Sequence, residues 1–390
     1  MGPDITVTNS SDRRLVLAIM VFSGIAPAVQ IMAPGVALQL AREFDLSATR
    51  IGWLFAAELG AMTFATIPAF LWLKRVNWRS AALVAGIAFA LLNIGSALLH
   101  DFAALIVART LSGLAGGSIM VITLAAGAQT RNQGRTYGLW LTAQFVVGAA
   151  GLALLPFLFS RVGIAACYGM MALLMLLALP LTRHFPVGGI EAQAAGSRRL
   201  PPTVRTRAAM SFAAIVTFYI GLSGVWSFIG FASEQKGMSQ GAGSLLLAIA
   251  TLIGIVGASL ASVIGDRFVR SKPLLLGYAL MAGSIVAFAS PANLTVFLLA
   301  TLTFKFTWTF TMPFILATLS ALDEKGRLIA GSNLAVGFGL TAGPAVAGQI
   351  LDANNGDFQT LLWIALTIVI VSAGCALFAA SPPAKTPQFA

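Results

Sequence analysis

The sequence predicts an all-α polytopic membrane protein, with twelve transmembrane helices in two six-helix, pseudo-symmetric halves. Three observations carry that prediction. Of 390 residues, 58% are hydrophobic and only 9% are charged, against about 25% charged in a soluble domain. The apolar residues run continuously for roughly 20 positions at a time, the length of a bilayer-crossing helix. Those runs do not alternate apolar with polar residues, as the strands of a membrane barrel would. A soluble chain this apolar could not cover its surface with polar groups, so an ordinary cytoplasmic enzyme and a disordered protein are both excluded.

Twelve candidate spans follow in order: 15–38, 51–73, 80–99, 103–127, 137–160, 164–182, 208–232, 243–264, 273–290, 294–320, 330–351 and 359–379. The first is too long for a cleavable signal, and Pro27, Gln30 and Pro34 interrupt it. The net charge of +11 sits mostly in short loops. With the N-terminus inside, eighteen Lys and Arg residues fall in cytoplasmic segments and four, Arg42, Arg50, Arg161 and Lys236, on the opposite side. That bias is a topology signal. It places both termini in the cytoplasm, and it leaves no basic face for nucleic acid; the localisation expected is the inner (cytoplasmic) membrane. Residues 183–207, rich in Pro, Gly and Arg, read as a cytoplasmic linker between bundles 1–182 and 208–390. Cys167 and Cys375 each lie inside an apolar run, so no disulfide framework follows.

The halves look duplicated. Gly134-Arg135 follows span 4 and Gly326-Arg327 follows span 10, 192 residues apart. Internal duplication of this kind is common in transporters.

Between spans 8 and 9 the chain reads Gly265-Asp266-Arg267-Phe268-Val269-Arg270-Ser271-Lys272. Its counterpart after span 2 is Lys74-Arg75-Val76-Asn77-Trp78-Arg79, with Lys74 in place of the acid and Asn77 in place of a glycine. Span 4 carries Arg109-Thr110-Leu111-Ser112-Gly113-Leu114-Ala115-Gly116-Gly117, and span 11 carries Gly339-Leu340-Thr341-Ala342-Gly343-Pro344 followed by Gly348. Together these segments resemble the motifs of the major facilitator superfamily, and the resemblance covers essentially the whole chain. It implies an alternating-access transporter, gated on the cytoplasmic side by Arg75, Asp266, Arg267 and Arg270. It also implies that spans 1, 4, 7 and 10 line a central cavity and that Arg109 takes part in proton coupling. In span 5 of drug antiporters of the family a Gly-Pro motif is a hallmark; here span 5 has Gly148-Ala149-Ala150-Gly151 instead.

Side-chain spacing points to the same four spans. Polar and aromatic residues recur at helical intervals as Ser23, Pro27, Gln30 and Pro34 in span 1, and as Arg109, Ser112 or Gly113, and Gly116 in span 4. Span 7 has Tyr219, Ser223, Trp226 and Ser227; span 10 has Thr301, Lys305, Trp308 and Met312. A polar stripe in a lipid-length helix must face protein or water. Three charges fall inside spans: Glu58, Arg109 and Lys305. Each costs at least about 2.5–3.5 kcal/mol at the bilayer centre. One explanation is a buried ion pair that only ties helices together. The functional one makes Glu58 the proton-binding group, with Arg109 or Lys305 close by. Gln30, Arg109, Tyr219, Trp226, Lys305 and Trp308 are then the substrate-binding set. Two positive charges against one negative favour an anionic solute such as a carboxylate.

Catalytic, zinc-binding and phosphate-cradling motifs are absent, so neither an enzyme nor ATP-driven transport is expected. No cofactor is expected beyond the proton gradient as energy source. The partners expected are a small-molecule substrate and the lipid bilayer, for a chain working as a monomer. The function that fits is a proton-coupled secondary transporter of a small organic anion. Two alternatives stay open: a proton-coupled multidrug efflux antiporter, and a non-transporting membrane sensor or scaffold. A reporter inserted in 183–207 should read as cytoplasmic; a periplasmic signal there would overturn the twelve-span topology.

Overall fold

In the computed structural model, residues 5–187, 201–265, 267–290, 293–322 and 327–381 are described. They form twelve helical spans long and apolar enough to cross a membrane, and no strand occurs among them. Span 1 comprises Ile5–Ile25 and Ala28–Phe44, span 2 Ala48–Phe64 and Thr66–Trp72, span 3 Trp78–Leu98, and span 4 Phe102–Gly127. Span 5 is Gln133–Val162, and span 6 is Ala165–Ala178 extended by a 3-10 turn, Leu179–His184. Spans 7 to 12 are Pro202–Gln235, Gln240–Ile264, Ser271–Ala289, Leu294–Ser320, Arg327–Ala353 and Phe358–Ala380. Asp266, Lys325, Gly326 and most of the linker, 188–200, lie outside the described residues.

Local chemistry explains the interruptions. Pro27 has no N–H to donate, and span 1 breaks there into two helices. Pro68 cannot bond back to Phe64, and span 2 breaks one turn earlier, at Ala65. Pro180 converts the end of span 6 into the 3-10 turn. Pro34, Pro313 and Pro344 sit inside unbroken helices. Span 1 runs six residues beyond its predicted end because the polar residues that close it have partners. Arg42 pairs with Glu234, and the Glu43 carboxylate accepts from Ile164 N–H at 2.6 Å.

Successive loops alternate between two faces. The linker face carries 73–77, 128–132, 183–187 and 267–270; the far face carries 45–47, 99–101, 163–164, 236–239 and 354–357. On the far face every even span but span 6 begins with a side-chain cap. Ser47, Asp101, Ser239, Asn293 and Asp357 accept from the first free N–H groups of spans 2, 4, 8, 10 and 12. Each such cap is worth about 1 kcal/mol. Asn77 and Asn132 do the same for spans 3 and 5 on the linker face.

Packing repeats as the sequence does. Spans 2 to 6 and 8 to 12 begin 192 to 194 residues apart. Span 4 lies on spans 2 and 3 as span 10 lies on spans 8 and 9, and span 6 lies on span 3 as span 12 lies on span 9. Between the first six spans and the last six, span 2 packs on span 11 and span 8 on span 5. Those two seams exchange when the halves are swapped. Span 1 also meets span 7.

The span 2–span 11 seam is made of small residues. A Cβ at Gly52 would strike the Pro344 carbonyl, and one at Gly348 would strike that of Ala48. Backbone contact of this closeness is how helices associate in lipid, where burying apolar side chains offers no advantage. Polar ties close the far end. Asp352 in span 11 accepts from Ala48 N–H at 3.0 Å and Thr49 N–H at 2.9 Å, at the positive end of span 2. Arg42 donates to Gln240 at 2.7 Å as well as pairing with Glu234. The far face is thus latched shut by contacts between the two sets of six spans.

Asp352→Ala removes two of those acceptors and should cost about 0.5–2 kcal/mol. Spin labels at Leu98 and Leu294, both exposed near the far face, should then show a longer-distance population by pulsed electron resonance. An unchanged distribution would mean that the glycine seam alone holds the face closed.

Candidate functional site

Three charged side chains are buried among the described residues: Glu58, Arg109 and Lys305. The structure separates them into two unlike sites.

Glu58 and Arg109 belong together. Span 4 approaches span 2 because Gly113 and Gly117 lie against the Glu58 and Met62 carbonyls, where any side chain would collide. That approach sets Arg109, one turn before Gly113, beside Glu58. The guanidinium donates through Nε to Glu58 Oε2 at 3.1 Å and through Nη2 to Oε1. Its Nη1 donates to Asn93 Oδ1 at 2.9 Å and Ser96 Oγ at 3.4 Å, both in span 3. Asn93 donates in turn to Ser112 Oγ at 3.0 Å. The Tyr168 ring of span 6 covers the guanidinium, 4.6 Å from its centroid to the central carbon. Arg109 is 0% exposed and Glu58 4%. Every partner comes from the first six spans.

This corrects two expectations. The Arg109, Gly113, Gly116 stripe does not line a space shared by the two halves; it packs on spans 1, 2 and 3. Nor does Arg109 stand beside Lys305 as part of one binding set. The reason is the close approach of Gly113 and Gly117 to span 2, which turns that face of span 4 towards span 2.

Lys305 has the opposite surroundings. It lies near the middle of span 10, eleven residues and roughly 16 Å past Leu294, and is 4% exposed. Its ammonium sits 3.8 Å from the Trp226 ring centroid and 4.5 Å from that of Trp308; Phe145 of span 5 is at 5.9 Å. The ion pairs formed between described residues are Arg42–Glu234 and Arg109–Glu58, so no carboxylate pairs with Lys305. Trp226 is fixed by an indole N–H donated across the halves to Ile31 O at 3.0 Å. Tyr219 packs edge-on against Trp308, centroids 5.9 Å apart. Spans 1, 5, 7 and 10 therefore meet around one ammonium. Gln30, half-buried, precedes the residue that holds Trp226.

Of the expected substrate-binding set, then, Tyr219, Trp226, Lys305 and Trp308 come together, Gln30 is the neighbour in sequence of the residue that holds Trp226, and Arg109 lies elsewhere. Among the expected gating residues, Arg75 and Arg267 are exposed on the linker face and Arg270 is half-buried at the start of span 9; Asp266 lies outside the described residues. A groove of about 510 Å³ runs between spans 2, 3 and 4, lined by apolar residues such as Trp72, Val84 and Leu111 with Ser118. It contains none of the buried charges. No cluster of metal-binding side chains occurs among the described residues.

Sequence reasoning missed Asn93, Ser96, Tyr168 and Phe145. The first two had a signal, since polar residues three apart in an otherwise apolar span are costly unless partnered. Tyr168 and Phe145 had none that separated them from packing aromatics.

A family model described as Major Facilitator Superfamily matches residues 15–324. No curated protein matches the sequence. Solved structures share the fold at low identity. The nucleoside transporter NupG aligns with a TM-score of 0.76 at 12% identity, over 95% of this chain and 100% of its own. A D-xylose–proton symporter aligns at 0.76 and 17%, over 93% and 96%. A bacterial homologue of the human lysosomal transporter Spinster, in an inward-facing and unoccupied conformation, aligns at 0.72 and 13%, over 95% and 97%.

Removing one member of the buried pair strands the other. Glu58→Met or Arg109→Met alone should each lower stability by about 3–5 kcal/mol, and the double replacement should recover most of the loss. Thermal unfolding of the purified protein measures both; additive losses would mean that the two charges do not depend on each other.

Proposed function

Because the chain belongs to the Major Facilitator Superfamily and is therefore a transporter rather than an enzyme, we propose that it carries a small organic anion by alternating access, coupled to protons. The observation that carries this reading is Lys305: a buried ammonium among aromatic faces with no carboxylate beside it. An unpaired charge in a low-dielectric site is costly. Cation–π contacts return about 2 kcal/mol or somewhat more each when desolvated, and an arriving anion supplies the remainder. The ammonium lies where spans from both halves converge, the position suited to alternating access. A cationic drug would meet repulsion at the same point, which disfavours the antiporter alternative.

The proton belongs at Glu58. In the paired state the Glu58 and Arg109 charges cancel. Protonating Glu58 would leave Arg109 positive and raise the charge of the interior by one. An anion entering at Lys305 lowers it by one. Each event therefore favours the other, and proton and anion travel in the same direction. A mechanical link runs alongside. Span 2 holds Arg109 through one face and the span 11 seam through another, so a change in the ion pair is felt at the seam between the halves. The charge bias of the loops supports a cytoplasmic linker face in an inner membrane, with the latched far face outside.

In proteoliposomes loaded with a pH-sensitive dye, organic carboxylates should draw protons inward, whereas amines and sugars should not. Lys305→Gln should abolish this response. Glu58→Gln should abolish proton entry and uphill accumulation yet keep exchange of labelled carboxylate. Accumulation by Glu58→Gln against a gradient would overturn the proton assignment; sugar- or amine-driven proton entry would overturn the anion.

A further inference from the structure

We infer that the anion is a ring-bearing monocarboxylate, an aromatic acid rather than a dicarboxylate, a phosphate ester or a short aliphatic acid. The inference rests on the anion reading of Lys305 and narrows it.

Charge sets the valence. Three buried charges occur among the described residues, and two of them cancel within the first six spans. That leaves one positive charge facing the region where spans 1, 5, 7 and 10 meet. A ligand with a second carboxylate would bring an uncompensated negative charge into the same low-dielectric space, where desolvation is not repaid. Arg109 cannot answer it without breaking four hydrogen bonds and exposing Glu58.

Aromatic surface sets the body of the ligand. Around the ammonium lie the faces of Trp226 and Trp308 and the ring of Phe145, with Tyr219 extending the wall from Trp308. Trp226 has already spent its N–H on Ile31, so what it presents to a ligand is a flat apolar face. Flat rings gain from stacking or edge contact with another ring beyond the burial of area. A sugar or a hydroxy acid would need several hydrogen-bond partners at the same place and would leave its hydroxyls unpaired. A short aliphatic acid would satisfy the ammonium but would leave the rings uncovered.

Benzoate is a suitable probe, compared with acetate, succinate and uncharged benzamide, on the full-length protein in lipid nanodiscs at neutral pH. Trp226 and Trp308 border the site, so tryptophan fluorescence reports occupancy. Benzoate should bind at least tenfold more tightly than acetate or succinate, and benzamide should not bind. Lys305→Gln should lose benzoate binding. Trp308→Leu should bring benzoate down to the affinity of acetate while retaining carboxylate binding. If acetate or succinate equals or exceeds benzoate, the aromatic inference fails and the anion reading stands. Should none of the carboxylates bind, or should Lys305→Gln bind benzoate as the native protein does, the anion reading fails and takes the inference with it. Comparison of the four ligands on the native protein needs no variant, so loss of folding in either substitution does not blur the outcome.

Discussion

A charge inside a bilayer must be neutralised by the protein or by something the protein binds, and this chain buries one cation that is paired and one, Lys305, that has no carboxylate partner. Arg109 is neutralised at home, by Glu58, with Asn93, Ser96 and the Tyr168 ring taking up the rest of the guanidinium. Lys305 is buried as deeply but has only aromatic faces around it. Both side chains carry the same charge. Only one of them has unfinished electrostatics, and that difference is what makes Lys305 the centre of the transport hypothesis.

Small residues decide which cation receives a partner. Gly113 and Gly117 let span 4 settle on the backbone of span 2, which brings Arg109 to Glu58. The duplicated half does not repeat this. Spans 2 and 8, like spans 4 and 10, begin 192 residues apart. Ala250 and Thr301 therefore stand where Glu58 and Arg109 would repeat, and Lys305 stands where Gly113 would. The packing scheme is duplicated while the chemistry is divided, with an ion pair in one half and a lone ammonium in the other. Span 2 joins the two themes, since it carries the carboxylate and also forms the glycine seam with span 11. Its far end is held by Asp352.

Most of the architecture could be read from the sequence because lipid imposes a coarse rule: every backbone polar group must bond within its own helix, so spans are long, apolar and countable. The twelve spans and the duplication followed from that rule, and helical spacing picked out Tyr219, Trp226 and Trp308 with Lys305 but not Phe145. Direction within a bundle did not. Arg109 shares the spacing of a cavity-lining stripe, and only the three-dimensional approach of Gly113 to span 2 shows that this stripe faces inward on its own half. The Asp352 latch was equally invisible, because it joins residues about 300 apart through main-chain N–H groups. Such groups carry no signature in the side-chain sequence. The break at Ala65 could have been inferred from Pro68, which withholds the N–H that Phe64 needs.

The account turns on Lys305 receiving the anion, and a ligand-bound structure tests this most directly. Crystals grown with 4-bromobenzoate would locate the ring by anomalous scattering and the carboxylate by its density. The expected result is a carboxylate oxygen within hydrogen-bonding distance of Lys305 Nζ, the ring beside Trp226 and Trp308, and the Glu58–Arg109 pair within its own bundle. A bromobenzoate bound at Arg109 with Glu58 displaced, or held only by linker-face arginines while Lys305 stays bare, would contradict it.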